Sequence, residues 1–308
     1  MEIERAMRGS SDARLRAKYD AAVRVVRRAF ALYPFDELAF SFNGGKDSTV
    51  LFLPRASSPH MFKYADDGYS LLTIDTWLQQ VLLHLLRAGH YLYRTSSGDT
   101  DGTVRTVQNC RMRTIYFEEP NAFPEIDSFT YDTASTYGLP LEIIRTDFKS
   151  GLEALLKDKP TKAIFLGTRN GDPNAVGQQQ FSPSSPGWPP FMRINPILDW
   201  SYSDVWTFLL TCNVKYCSLY DQGYTSIGSI HDTVPNELLR DGSGGFRPAY
   251  MLSDPSLERA GRSKKKKTGK QNASANCTVT RQMTTLPFDA AQPGLRPSHQ
   301  CKTVGTHH

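Results

Sequence analysis

The feature that most constrains the fold is an alternation of short apolar runs with amphipathic stretches along the first two thirds of the chain. Residues 38–42 (LAFSF), 114–119 (TIYFEE), 141–147 (LEIIRTD) and 163–168 (AIFLGT) read as strands, each flanked by turn-forming or polar residues. Residues 11–31 place Leu15, Tyr19, Ala22, Val23, Val26 and Phe30 at helical spacing among Arg and Lys. Residues 123–138 and 148–159 also read as helices, stopped by Gly138 with Pro140 and by Pro160. A last helix spans 201–213, with Ser201 and Asp204 set as a capping box. Helices alternating with strands imply right-handed crossovers and an α/β fold: a mostly parallel twisted sheet with helices on both faces. Ligands in such folds sit beyond the carboxyl ends of the strands, which directs attention to the loops after residues 42, 119 and 168.

Composition removes several function classes. No apolar run approaches the roughly 18 residues of a membrane span. The polar start, with Glu2, Glu4 and Asp12, has no secretory or transit character, so the expected location is cytoplasmic. Five irregularly spaced cysteines, with no C-x-x-C pair, predict reduced thiols rather than a zinc site. The net charge of +5 is concentrated at Arg259, Arg262, Lys264, Lys265, Lys266, Lys267 and Lys270. Without them the body is near neutral, so no nucleic-acid-binding face is expected, nor a membrane partner. The expected organisation is one catalytic domain over residues 1–262, monomeric, followed by a basic, disordered tail over 263–308.

Two segments carry chemistry. Directly after the first strand the chain reads Ser41-Phe-Asn43-Gly44-Gly45-Lys46-Asp47-Ser48. The spacing is not that of a Walker A loop. The glycines let backbone N–H groups approach an anion, a following helix would add its N-terminal donors, and Lys46 supplies a full positive charge. Asp47 can hold a divalent cation or orient a ribose. The second segment follows the strand at 163–168: Gly167-Thr168-Arg169-Asn170-Gly171-Asp172-Pro173, then a proline-rich loop with Ser185, Trp188, Phe191 and Arg193, then Pro196-Ile-Leu-Asp199-Trp200. Rigid turns around an aromatic ring and charges suit a pocket that stacks a ring and grips a phosphate.

The first string resembles the loop of the PP-loop ATP pyrophosphatase superfamily, which includes FAD synthases and PAPS reductases. The second block is similar to the eukaryotic FAD synthase (FMN adenylyltransferase) family, whose hallmarks read G-T-R-R-x-D-P, T-D-P-x-W-P-x-F-M-R and P-I-L-D-W. Further matches lie at residues 216–226, 233–236, 246–250 and 258–262, so the resemblance covers about 38–48 and 114–262. It implies an adenine nucleotide alpha hydrolase-like, Rossmann-like fold and Mg²⁺-dependent adenylation of FMN by ATP, giving FAD and pyrophosphate. Carried over by position, Ser41, Asn43, Gly44, Gly45, Lys46, Asp47 and Ser48 would bind ATP. Lys46, Arg169 and Asp172 would face the reacting phosphates, with Asp47 and Asp172 the candidate metal carboxylates. Trp188, Arg193, Ser185, Arg259 and Arg262 would hold the flavin. Two positions depart from the pattern: Asn170 stands where the family has a second Arg, and Ser185 where it has Asp.

The runner-up on the same fold is a PAPS reductase-like or sulfate-assimilation enzyme. That chemistry needs a nucleophilic cysteine in an E-C-G-x-H setting, which neither Cys277 nor Cys301 has. A third reading is a non-catalytic splice isoform. Residues 51–81 read as an insertion: Pro54 and Pro59 cut off the helix that should follow the glycine loop. An excellent helix then runs from Val81 to a glycine stop at Gly89. Removing 51–81 joins Val50 to Leu82 and restores one uninterrupted helix.

Overall fold

The central strand of the sheet, β1 (Leu38–Ser41), is buried along its whole length, as a strand covered on both faces must be. Its side chains alternate between two cores. Leu38 and Phe40 join Val26, Phe30, Leu82, Leu86 and Phe165, while Ala39 joins Ile115, Leu152, Leu155 and Ile164. In this computed structural model the described residues are 2–42, 76–96, 110, 112–172 and 175–262. All of them fall within a unit spanning Met1–Lys266. The expected phosphate loop at 43–48, most of the expected insertion, and the tail at 263–308 lie outside the described residues.

The chain runs α1 (Glu2–Gly9), α2 (Ala13–Leu32), β1, α3 (Thr76–Ser96), β2 (Arg113–Phe117), α4 (Pro124–Tyr137) and β3 (Leu141–Ile144). It continues through α5 (Phe148–Asp158), β4 (Ala163–Phe165), β5 (Phe181–Pro183), β6 (Met192–Ile194) and α6 (Tyr202–Thr211). The six strands lie in the order β3-β2-β1-β4-β6-β5, parallel except for β5, which pairs antiparallel with β6. Helices α2 and α3 cover one face and α5 the other. A third apolar cluster joins α1, α2, α3 and α6 to the 3-10 turns that follow. Among the described residues no helix is long and apolar enough to cross a membrane.

Local sequence accounts for most of the boundaries. Asp12 caps α2 by accepting from the Leu15 N–H, and Gly138 ends α4 in the left-handed conformation at φ 61°. The capping box at Ser201 and Asp204 is present in both directions. Three expectations are corrected. The strands read at 141–147 and 163–168 end at Ile144 and Phe165, because Asp147 leaves the sheet to cap α5 and Leu166 starts the site loop. Helix α3 begins at Thr76, inside the expected insertion, and buries Leu78 and Val81. Nor does Gly89 stop α3, which runs on to Ser96. A Cβ on Gly89 would collide with the Val26 side chain of α2, so this glycine permits a close helix crossing instead of ending a helix. Helix α1 and the β5–β6 hairpin carry patterns too short to have been read from periodicity.

One buried group makes a pH prediction. His84 of α3 lies edge-on to Tyr137, centroids 5.3 Å apart, and its Nε2 has no hydrogen-bond partner. Burial, reinforced by Arg87, pushes its pKa down to about 3. The unfolded chain takes up this proton near pH 6.5 and the folded chain does not. Stability therefore declines as pH falls from 6.5 toward 3, by up to about 1.4 kcal/mol per pH unit. His90, also lowered by burial, adds to the trend. Denaturant unfolding at pH 7, 6 and 5 should show a shallower acid loss in His84→Leu than in the unaltered chain. Equal slopes would exclude the contribution of His84.

Candidate active site

The sheet order sets where a ligand can enter. From β1 the chain crosses to β2 and β3 on one side, then returns to β4 on the other. The carboxyl ends of β1 and β4 thus flank a switch point, and their registered pairing (Leu38 with Ala163, Phe40 with Phe165) makes their loops leave side by side. At the end of β1, Ser41 is buried, and the Phe42 N–H donates to the Ile115 carbonyl. The next residue is Asn43, where the described chain breaks off, so Asn43, Gly44, Gly45, Lys46, Asp47 and Ser48 receive no geometry.

Beyond β4, Arg169 and Asp172 close a tight turn. The Asp172 carboxylate accepts from the Arg169 backbone N–H at 2.7 Å, and the Asp172 N–H donates to the Arg169 carbonyl at 3.0 Å. Gly171 sits at φ 101°, a region that side chains avoid. The Asn170 N–H donates to the Leu198 carbonyl at 2.6 Å, tying the turn to the segment before α6. The Arg169 guanidinium is almost wholly buried between two carboxylates: Glu258 Oε1 at 2.7 Å and Asp172 Oδ1 at 3.4 Å. Burial raises the Glu258 pKa, Arg169 opposes that rise, and Asp172 reinforces it. Residues 258–262 match a family motif, but sequence reasoning gave Glu258 no role. The available signal was a carboxylate in a segment otherwise rich in Arg.

The segment bearing Glu258 is itself pinned. Its carbonyl accepts from the Thr225 hydroxyl at 2.6 Å, and the Asn236 amide donates to the Leu257 carbonyl at 3.0 Å. A Cβ on Gly261 would strike the Val234 carbonyl, and the Val234 N–H donates to the Gly261 carbonyl at 2.9 Å. Arg262 lies against Gly228, 3.5 Å from Asp232, whose carboxylate also accepts from the Ser229 N–H and the Thr233 hydroxyl. Asp232 is a second partner that sequence reasoning missed. Arg259, between these two anchored residues, is half-buried, and its charge favours the ionised form of Glu258.

The third part is the β5–β6 hairpin. Arg193 on β6 donates to the Ser185 hydroxyl at 3.3 Å and to the Pro183 carbonyl at 3.4 Å, with its guanidinium 5.9 Å from the Phe191 ring. Burial pushes the Arg193 pKa down to about 10. Trp188 closes a turn on Ser185 and meets Phe148 of α5 edge-on at 5.6 Å. Of the expected site residues, Arg169 thus meets Asp172 directly and Ser185 meets Arg193, while Arg262 is engaged with Asp232. No group of three or more His, Cys, Asp or Glu among the described residues is placed to hold an ion. Mg²⁺ is commonly held by one or two carboxylates together with substrate phosphates and water. Asp172 fits this role: one oxygen is fixed by the backbone, and the other meets Arg169 only at 3.4 Å.

Comparison with known proteins places these features among relatives. A family model described as "Phosphoadenosine phosphosulfate reductase domain" matches residues 148–235. A "Probable FAD synthase" of Schizosaccharomyces pombe (strain 972 / ATCC 24843) is 36% identical over 249 residues, 80% of either chain. A "Probable FAD synthase" of Caenorhabditis briggsae is 33% identical over 254 residues, covering 80% of this chain and 40% of that one. The structure of Candida glabrata FMN adenylyltransferase in complex with FAD and inorganic pyrophosphate superposes with a TM-score of 0.67 at 23% identity. That match covers 86% of this chain and 95% of the other, and it supports the likeness of fold.

Proposed function

This chain belongs to the FAD synthase family, and from that premise we propose that it transfers AMP from ATP to FMN, giving FAD and pyrophosphate, in the cytoplasm. The observation that carries the reading is the placement of Arg169 and Asp172 just beyond β4, beside the carboxyl end of β1, where an α/β sheet receives a nucleotide. The FMN phosphate attacks the α-phosphorus of ATP. Its second pKa is near 6, so it is already largely dianionic at pH 7 and needs no general base. The remaining task is to align two anions and offset their repulsion. Lys46 and the glycine-loop N–H groups suit that task, while Arg169, its guanidinium almost wholly buried between Glu258 and Asp172, acts through that pair rather than on the phosphates directly. Asp47 and Asp172 face Mg²⁺. Bound there, Mg²⁺ supplies neutralising charge on the phosphates. Trp188, Arg193, Ser185, Arg259 and Arg262 are assigned to the flavin and its phosphate.

Incubating the purified chain with FMN, MgATP and inorganic pyrophosphatase, then separating flavins by chromatography, tests the proposal. FAD should accumulate only when ATP and FMN are both present. A folded protein that yields none overturns it.

Trp188→Ala separates the flavin assignment from a purely structural role. An indole face stacks well on a flavin, so FMN affinity should fall about tenfold. ATP affinity should fall less, because the lost Phe148 contact only loosens the hairpin. Equal losses for both ligands in titration would reduce Trp188 to a support for its loop.

A further inference from the structure

We infer that Glu258 is a positioning residue that draws Arg169 away from Asp172 and so leaves the Asp172 carboxylate open to a nucleotide-borne divalent cation. The inference rests on the reading of Asp172 as metal-facing. Two carboxylates compete here for one guanidinium, and the distances record the outcome: 2.7 Å to Glu258 and 3.4 Å to Asp172. Arg169 is nearly excluded from solvent, and a buried cation must keep a close anionic partner. Glu258 can hold it because its own backbone is fixed by Thr225, and the adjoining Leu257 carbonyl by Asn236. Asp172 has one oxygen committed to the Arg169 backbone N–H at 2.7 Å. Its other oxygen is only loosely engaged. With both carboxylates ionised the trio carries a net charge of −1, which suits a divalent cation more than it suits a bare phosphate.

If the Glu258 charge is removed, Arg169 has Asp172 as its remaining close anion in the trio. The guanidinium then closes on Asp172 and occupies the oxygen that would face the metal. The loss should therefore fall on metal-bound ATP and spare metal-free ATP.

The test compares affinities for ATP with Mn²⁺ and for ATP in EDTA, by calorimetric titration of the full chain without FMN, so that no turnover occurs. Glu258→Gln should weaken MnATP binding about tenfold, as loss of an outer-shell partner typically does, and leave metal-free ATP binding unchanged. Glu258→Asp keeps the charge but draws it back, and should show the same selective loss to a smaller degree. It carries the test if the Gln variant does not fold. In an Asp172→Asn background, Glu258→Asp, which still leaves Arg169 an anion, should add nothing. Equal losses for both forms of ATP, or none, would overturn the inference. If Asp172→Asn itself spares MnATP binding, the metal-facing reading of Asp172 fails and the inference falls with it. If that variant loses MnATP while Glu258→Gln does not, the inference alone fails. No MnATP binding by the unaltered chain would sink both.

Discussion

Asp172→Ala is expected to reduce FAD formation from FMN and MgATP to below a tenth of the unaltered rate, a barrier increase above about 1.4 kcal/mol. The fold should survive. The substitution removes the carboxylate that accepts from the Arg169 N–H at 2.7 Å and from its guanidinium at 3.4 Å, a loss of roughly 1–3 kcal/mol, and the hydrogen bonds that remain in the turn are backbone to backbone. Arg169 keeps Glu258 at 2.7 Å, so its buried charge is not orphaned. Circular dichroism and a melting curve should resemble those of the unaltered chain while the chromatographic assay shows little FAD. Retention of more than a tenth of the activity would remove Asp172 from any central role.

The second large effect concerns length. The chain as it stands is expected to bind ATP weakly and turn over slowly, and a variant lacking residues 51–81 to be fully active. Helix α3 sharpens the argument, because it places Val81 in the core. Deletion brings Val50 to the position before Leu82, so one valine replaces another at a fully buried site. The glycine loop then feeds straight into the helix, whose N-terminal donors and dipole come to bear on the phosphates. The deletion also removes the buried Leu78, and Asp47 takes its place in the helical register. Leu78 packs in the core with residues of α1 and α6, so a carboxylate there is an unfavourable exchange, and the expected gain rests on the N-terminal donors. Assaying both proteins side by side for turnover and ATP affinity decides it. Equal values would show that the extra residues are harmless.

What could be read beforehand follows from what each pattern encodes. Parallel strands buried on both faces appear as continuous apolar runs, so β1, β2 and β4 were legible from residues such as those at 38–41 and 113–117, while the half-buried edge strand β3 was legible from its β-branched Ile143 and Ile144. The capping box at Ser201 was legible because its two partners are local. The antiparallel β5–β6 hairpin was not, since strands of three residues carry no period and Pro183 argues against a strand. The site divides the same way. Arg169 and Asp172 are three residues apart, and one motif holds both. Glu258 and Asp232 act through partners far along the chain, and nothing local marks a carboxylate as the counter-ion of a distant guanidinium. Gly89 was misread for a related reason: a glycine in a helical pattern looks the same whether it ends the helix or admits a neighbour.

That crossing has a mechanical consequence. With Gly89 seated against Val26, α3 is fixed lengthwise on α2. Sliding it by one residue either way would present Ala88 or His90 to the same spot, and each brings a Cβ where there is no room. A change in the number of residues between Ser41 and Thr76 therefore cannot be taken up by moving the helix, and must be absorbed entirely within the connection. The crossing acts as a ratchet stop between the segment after β1 and the core. The packing of α3 on α2 is thereby insulated from whatever is gained or lost upstream, even where function is not.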